Sequence, residues 1–169
     1  MAVLSEQFRD EQRDYFLSTS QWTDTHPQQL LGPPSAFKRY DLHTLTLEDL
    51  KAPMVEAFQM HVSDGGPVEA LCGWFDVAFK GSETNPTDVE VPLSTAPDPT
   101  GSTHWGQQTF YISPPLQCDP TDKLDCKIDV SRRLDNQRLL AVKMDIATQD
   151  VNGTPKPGAK TQKLKWNID

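Results

Sequence analysis

Fourteen prolines, spread from Pro27 to Pro157, constrain this chain of 169 residues more than any other feature. Proline has no amide hydrogen and holds φ at about −65°, so it breaks helices and is confined to the edges, ends and bulges of sheets. Long helices are therefore excluded over most of the chain, and short strands joined by loops are favoured. The exception is 5–17 (SEQFRDEQRDYFL), which has neither Gly nor Pro. There Leu4, Phe8, Tyr15 and Phe16 interleave with charges at helical spacing, which predicts an amphipathic helix. Such a short helix is marginal alone in water, so its apolar side must dock on its own domain or on a partner.

Beyond Pro34 the runs are short and bounded by turn residues, the pattern of an antiparallel barrel or sandwich. Strands are expected at 36–42, 55–62, 68–79, 89–93, 107–112, 123–130, 138–146 and 162–168. The fold class is thus mainly β, with about eight to ten short strands behind an N-terminal helical arm. The run 68–79 has few polar breaks and is expected to be buried along most of its length. Segment 44–50 reads as a helical turn or an edge strand. Residues 1–34 are assigned to the arm and 35–169 to the β domain. The length suits one hydrophobic core. Although only 36% of residues are hydrophobic, 4 Trp, 7 Phe and 3 Tyr argue against a disordered acidic tail.

Formal charge is −8, with residues 65–125 alone carrying −7. That balance disfavours nucleic acid and anionic membranes and favours basic partners. No apolar run approaches the about 20 residues that cross a bilayer, and the N-terminus lacks the basic and apolar regions of a secretory signal. Cys72, Cys118 and Cys126 make no CxxC pair and leave an odd thiol, so neither a disulfide framework nor a zinc site is indicated and a reducing compartment is expected.

Chemistry has few candidates. Thr103-His104-Trp105 stands in a loop entering a strand, where the indole could orient and partly desolvate the imidazole, or where the two could simply pack. His26, His43 and His61 are scattered singly, without metal-ligand spacing. There is no GxSxG and no phosphate-cradling glycine turn, so no nucleotide-type cofactor site is visible. Asp76, Asp98, Glu83, Asp88 and Glu90 could offer a carboxylate pair for glycoside hydrolysis, or serve only as solvated loop acids.

Leu93-Ser94-Thr95-Ala96-Pro97 followed by Thr103-His104-Trp105-Gly106-Gln107-Gln108-Thr109-Phe110 resembles the "S-T-x-P … T-H-W-x-Q" block of protein arginine N-methyltransferases. The flanks agree: 71–79 resembles the strand before that block, Asp122-Lys123-Leu124 the turn after it, and Asn136-Gln137-Arg138-Leu139-Leu140 a late strand. Phe8-Arg9-Asp10-Glu11-Gln12, Trp22, Asp24 and Pro27-Gln28-Gln29 resemble the dimerisation arm of the plant-type branch. Asp14-Tyr15-Phe16 superficially suggests the family's YFxxY helix, but the second Tyr is missing.

The resemblance implies the C-terminal, β-rich half of an S-adenosylmethionine-dependent enzyme that methylates arginine in basic proteins. The half that holds the cofactor and two guanidinium-gripping glutamates has no counterpart here, so Met1 reads as an internal methionine of a longer enzyme and no cofactor is expected to bind this chain alone. His104 is implied as catalytic, paired in the family with an aspartate of the cofactor half. Trp105 and Thr103 are implied as substrate-binding, while Phe8, Tyr15, Phe16 and Trp22 are implied in a homodimer and expected to be exposed in a single chain. Cytoplasmic or nuclear residence is expected. The alternative function is a non-catalytic acidic module that binds Arg-rich segments or a partner subunit.

Overall fold

A computed structural model describes residues 2–101 and 103–169, with side chains from Ser5 onward. Met1 and the side chain of Leu4 therefore lie outside the described part. The order of elements is α1 (Ala2–Ser18), β1 (Gln21–Thr23), a 3-10 turn (Pro27–Gln29), α2 (Leu47–Lys51), β2 (Met54–His61), β3 (Gly66–Gly73), β4 (Asp76–Phe79), β5 (Val91–Ser94), β6 (Gln107–Cys118), β7 (Lys123–Arg132), β8 (Leu140–Gln149) and β9 (Gln162–Ile168). The strands form three sheets, ordered β1-β6-β3, β2-β7-β8-β9 and β4-β5, and every strand pair is antiparallel. No closed barrel forms among the described residues. The two larger sheets are instead arranged as a sandwich around one core.

Alternation along the strands builds that core, because successive side chains of a strand point to opposite faces. Leu124, Cys126 and Ile128 of β7 face inward with Val142, Met144 and Ile146 of β8. Val68, Ile112 and Leu116 come from the other sheet. Trp166 of β9 is 1% exposed, sets its ring edge-on to Phe110 at 5.3 Å and donates its indole N–H to the Tyr111 carbonyl at 3.0 Å. Trp166 thus ties the two sheets together with one apolar body and one satisfied polar tip.

Several expectations need correction. Segment 36–42 is not a strand. Phe37 stacks on Phe58 at 5.1 Å and Lys38 bonds Glu56 at 2.6 Å, so side chains rather than a backbone ladder hold it beside β2. Asp41 then turns the chain by accepting the Leu45 amide at 2.9 Å, and 44–50 resolves into α2 with a Thr46–Asp49 capping box. The run 68–79 breaks into β3 and β4, which belong to different sheets, and its second half is exposed at Asp76 and Phe79. In the other direction, β6 continues through Pro114 and Pro115 to Cys118, because a register shift opposite Glu69 accommodates the donor-less prolines. β1 has no counterpart among the expected strands.

The helix forms as expected but leans on the body only near its C-terminus. Phe16 meets Tyr111 edge-on at 6.0 Å, and the Ser20 amide donates to the Asn167 carbonyl at 2.8 Å. Further on, the Leu31 carbonyl accepts the amides of Ser63 (2.7 Å) and Asp64 (3.0 Å). Gly32 lies so close to the end of β2 that a Cβ there would sit 1.9 Å from the His61 carbonyl oxygen. Residues 19–32 are consequently fastened to the sandwich, whereas the described side chains of α1 from Ser5 to Phe16 are exposed.

Candidate functional site

The turn that carries Thr103, His104 and Trp105 is built from three chain segments. It closes with the Gly106 amide donating to the Thr103 carbonyl at 3.1 Å, and Gly106 takes a φ of +52° that favours glycine. Immediately afterwards Gln107, only 2% exposed, donates its side-chain amide to the Thr95 carbonyl at 2.9 Å and accepts the Thr25 amide at 2.8 Å. Thr95, fully buried, is itself clamped to Phe75: the Thr95 amide donates to the Phe75 carbonyl at 3.0 Å and the Phe75 amide to the Thr95 hydroxyl at 3.1 Å. The Thr23 and Thr109 hydroxyls lie 2.7 Å apart beneath the turn. Buried side chains whose polar atoms are all used hold a loop rigidly, since breaking any one bond strands a partner away from water.

On this base the candidate side chains His104 and Trp105 face outward. His104 is exposed and Trp105 is 52% exposed, with their rings 6.1 Å apart at 77°. Phe75 meets the other side of Trp105 edge-on at 6.0 Å. The indole thus lies edge-on to an exposed imidazole. Thr103 is half-buried, and its hydroxyl is enclosed without a hydrogen-bond partner.

The remaining candidates scatter. Phe8 (63%), Tyr15, Phe16 and Trp22 (59%) are all among the exposed large hydrophobic residues. Trp22 nevertheless differs from the helical three, because its indole N–H donates to the Trp105 carbonyl at 2.7 Å. His26 caps the 3-10 turn, accepting the Gln28 amide at its Nδ1, so its role is local. Asp76 accepts the Ser94 hydroxyl at 2.5 Å, and Asp98 accepts both the hydroxyl and the amide of Thr100. The Thr100 bonds hold the Asp98 carboxyl below its ordinary range, the wrong direction for a general acid. Asp98 is thus unsuited to the general-acid role in a carboxylate pair. Cys72, Cys118 and Cys126 are free thiols, and no cluster of three or more His, Cys, Asp and Glu suited to a metal occurs among the described residues.

Gln107, Thr95 and Gly106 are the site residues that residue-type reasoning passed over. The signal for them lay in the motif itself, where a glutamine opens a strand of otherwise ordinary alternation.

The family profile described as the arginine methyltransferase oligomerization subdomain matches residues 9–151. The chain belongs to this family. A protein arginine N-methyltransferase of rice (Oryza sativa subsp. japonica), PRMT10, is 35% identical over 162 residues, covering 96% of this chain and 43% of the relative. The Arabidopsis thaliana PRMT10 is 33% identical over 166 residues, covering 95% and 42%. The crystal structure of Arabidopsis thaliana protein arginine methyltransferase 10, described as a uniquely open conformation, superposes with a TM-score of 0.85 at 31% identity over 100% of this chain and 48% of that one. A Trypanosoma brucei PRMT1 enzyme-prozyme heterotetrameric complex with AdoHcy shares the fold at a TM-score of 0.73 and 18% identity, covering 91% of this chain and 44% of that one. The arginine methyltransferase subdomain thus spans less than half the length of the relatives it matches. Its Thr103–Gly106 turn is the feature on which sequence motif and structural bracing coincide.

Proposed function

We propose that this chain supplies the substrate-side half of an S-adenosylmethionine-dependent protein arginine N-methyltransferase. The observation that carries the reading is the braced turn that presents His104 and Trp105 outward from the β1-β6-β3 sheet. A rigid scaffold that holds an imidazole and an indole at its surface is suited to completing a site whose other wall lies on a second body. The exposed indole face attracts a guanidinium, and the imidazole can hold or receive a proton beside it.

The methyl group would come from a cofactor that these residues do not fit. Its usual cradle is a parallel strand leading through a Gly-rich turn into a helix. Among the described residues all strand pairs are antiparallel, and the two α-helices are α1 and the five-residue α2. What this chain contributes is therefore binding, orientation and a proton site, and the cofactor belongs to a separate half. The acidic stretch 65–125 favours arginine-containing basic protein substrates. The exposed Phe8, Tyr15 and Phe16 on α1 are assigned to self-association, consistent with a family defined by an oligomerization subdomain.

The test is reconstitution. The purified chain is mixed with the separately produced cofactor half of the rice relative, and methyl transfer to an Arg/Gly-rich peptide is measured. Activity that requires both halves and is lost in His104→Ala supports the reading. Micromolar binding of S-adenosylmethionine to this chain alone by calorimetry, or full activity of His104→Ala, contradicts it. Tight binding of the peptide by a mixture with no transfer would favour a non-catalytic acidic module.

A further inference from the structure

The resemblance places Trp22 with the dimerisation aromatics, but the geometry points elsewhere. We infer that Trp22 is a positioning residue for His104, a strut that sets the height and tilt of the Thr103–Gly106 turn. That the turn serves arginine methylation rests on the function proposed above; that Trp22 positions it rests on this chain's own contacts.

Three observations converge. The Trp22 indole N–H donates to the carbonyl of Trp105, the residue that follows His104, at 2.7 Å. The face of the turn is shaped to the same ring, since a Cβ on Gly106 would lie 2.7 Å from Trp22 Nε1, 2.7 Å from Cε2 and 2.7 Å from the Thr23 carbonyl oxygen. Finally, Trp22 is fixed in register opposite Gln108 by β1 pairing with β6, so strut and turn share one sheet. The turn thus rests on β1 through the Trp22 indole and is anchored at its root by Gln107. A ring of another size or without a donor leaves the Trp105 carbonyl unsupported and frees the peptide unit next to His104.

The ring is also 59% exposed, while its one polar atom is spent on a bond within the chain. If Trp22 served only to bury area in an interface, its N–H would have no reason to select this carbonyl.

Trp22→Phe keeps an aromatic ring at the position and removes the donor together with the five-membered ring that carries it, which makes it the informative variant. By NMR on this chain, the Gly106 amide should exchange about five- to tenfold faster, the population change that one net hydrogen bond commands. The His104 ring and Trp105 amide signals should shift, while those of Val142 and Trp166 in the core stay in place. Unchanged His104 and Gly106 signals, or changes spread evenly through the core, would overturn the assignment. The unsubstituted chain offers an independent reading that no folding defect can obscure: the Trp22 indole proton should be protected from exchange, and exchange at the rate of a free indole overturns the strut. In the reconstituted enzyme Trp22→Phe should lower kcat more than it raises KM. If His104→Ala is harmless there but the indole proton is protected, the proposed function fails and the strut stands; an unprotected proton with a sensitive His104 gives the reverse.

Discussion

The side-chain amide of Gln107 donates to the Thr95 carbonyl at 2.9 Å, and its oxygen accepts the Thr25 amide at 2.8 Å, so one buried residue joins three segments. Thr95 is fully buried and Thr25 half-buried. Replacing Gln107 with Ala strands both and should cost about 2–4 kcal/mol, since each buried unsatisfied group carries a penalty of its own. Gln107→Glu should be at least as damaging, because a carboxylate oxygen would face the Thr95 carbonyl oxygen. Urea unfolding of both variants checks the order; a loss in Gln107→Glu well below that in Gln107→Ala would show that the Thr95 bond carries little.

Gly106 should tolerate no side chain. Its φ of +52° is costly for any L-residue, and a Cβ would meet the Trp22 indole and the Thr23 carbonyl at 2.7 Å. Gly106→Ala is expected to lose about 2–3 kcal/mol and to shift tryptophan fluorescence as the turn lifts from β1. An alanine variant with unaltered thermal midpoint and emission would mean that the turn relaxes freely.

Asp122 and Lys156 set the pH dependence of the β6–β7 corner. Burial alone would raise the Asp122 carboxyl, but the Lys156 ammonium at 2.6 Å and the Asp119 amide at 2.7 Å together hold it below its ordinary value. The hydrogen bonds that Lys156 donates to the Asp119 and Asp122 carboxylates raise it well above its ordinary value of 10.5. A depressed carboxyl contributes stability that is complete above its unfolded pKa and lost as pH falls through the folded one. A raised ammonium contributes stability that is complete below pH 10.5 and lost as pH rises through its higher folded pKa. The chain should therefore lose stability in acid below the ordinary carboxylate range and again in strong alkali. Asp122→Asn should flatten the acid limb, which urea midpoints at pH 7 and pH 3 will report. An acid limb of the same depth in the variant assigns it to other carboxylates.

Cys126 should be inert in the folded chain. Burial pushes its thiol up to about 12, with the nearby Asp125 carboxylate adding to the shift. At pH 8 the thiolate that reacts with disulfide reagents is then nearly absent. Labelling followed by mass spectrometry should find Cys126 modified only when the chain unfolds, with half-buried Cys72 modified earlier. Rapid native labelling of Cys126 would mean that the β7–β8 region opens on its own.

How much of this was legible in the sequence differs from element to element. The α1 helix could be read from a stretch without Gly or Pro and from local spacing, since a helix satisfies its backbone within a few residues. β7 and β8 were visible because Leu124, Cys126, Ile128, Val142, Met144 and Ile146 alternate strictly toward one core. The Thr103–Gln107 motif named the family, and with it the residues to inspect. β1 was invisible, because three residues acquire strand character only by pairing with β6, 86 positions away.

The same distinction separates what the sequence by itself determined from what tertiary structure decided. Proline spacing and apolar periodicity settled a β-rich class with one N-terminal helix, since both act through neighbours in the chain. Whether 36–42 would ladder, where 68–79 would break, and which way the Trp22 indole would turn depended on partners distant in sequence. A strand needs a second strand to satisfy its amides, and a buried Gln107 needs the Thr95 carbonyl delivered to it. Those choices are made only when the sheets pack, which is why the residues that brace the turn emerged from the folded chain.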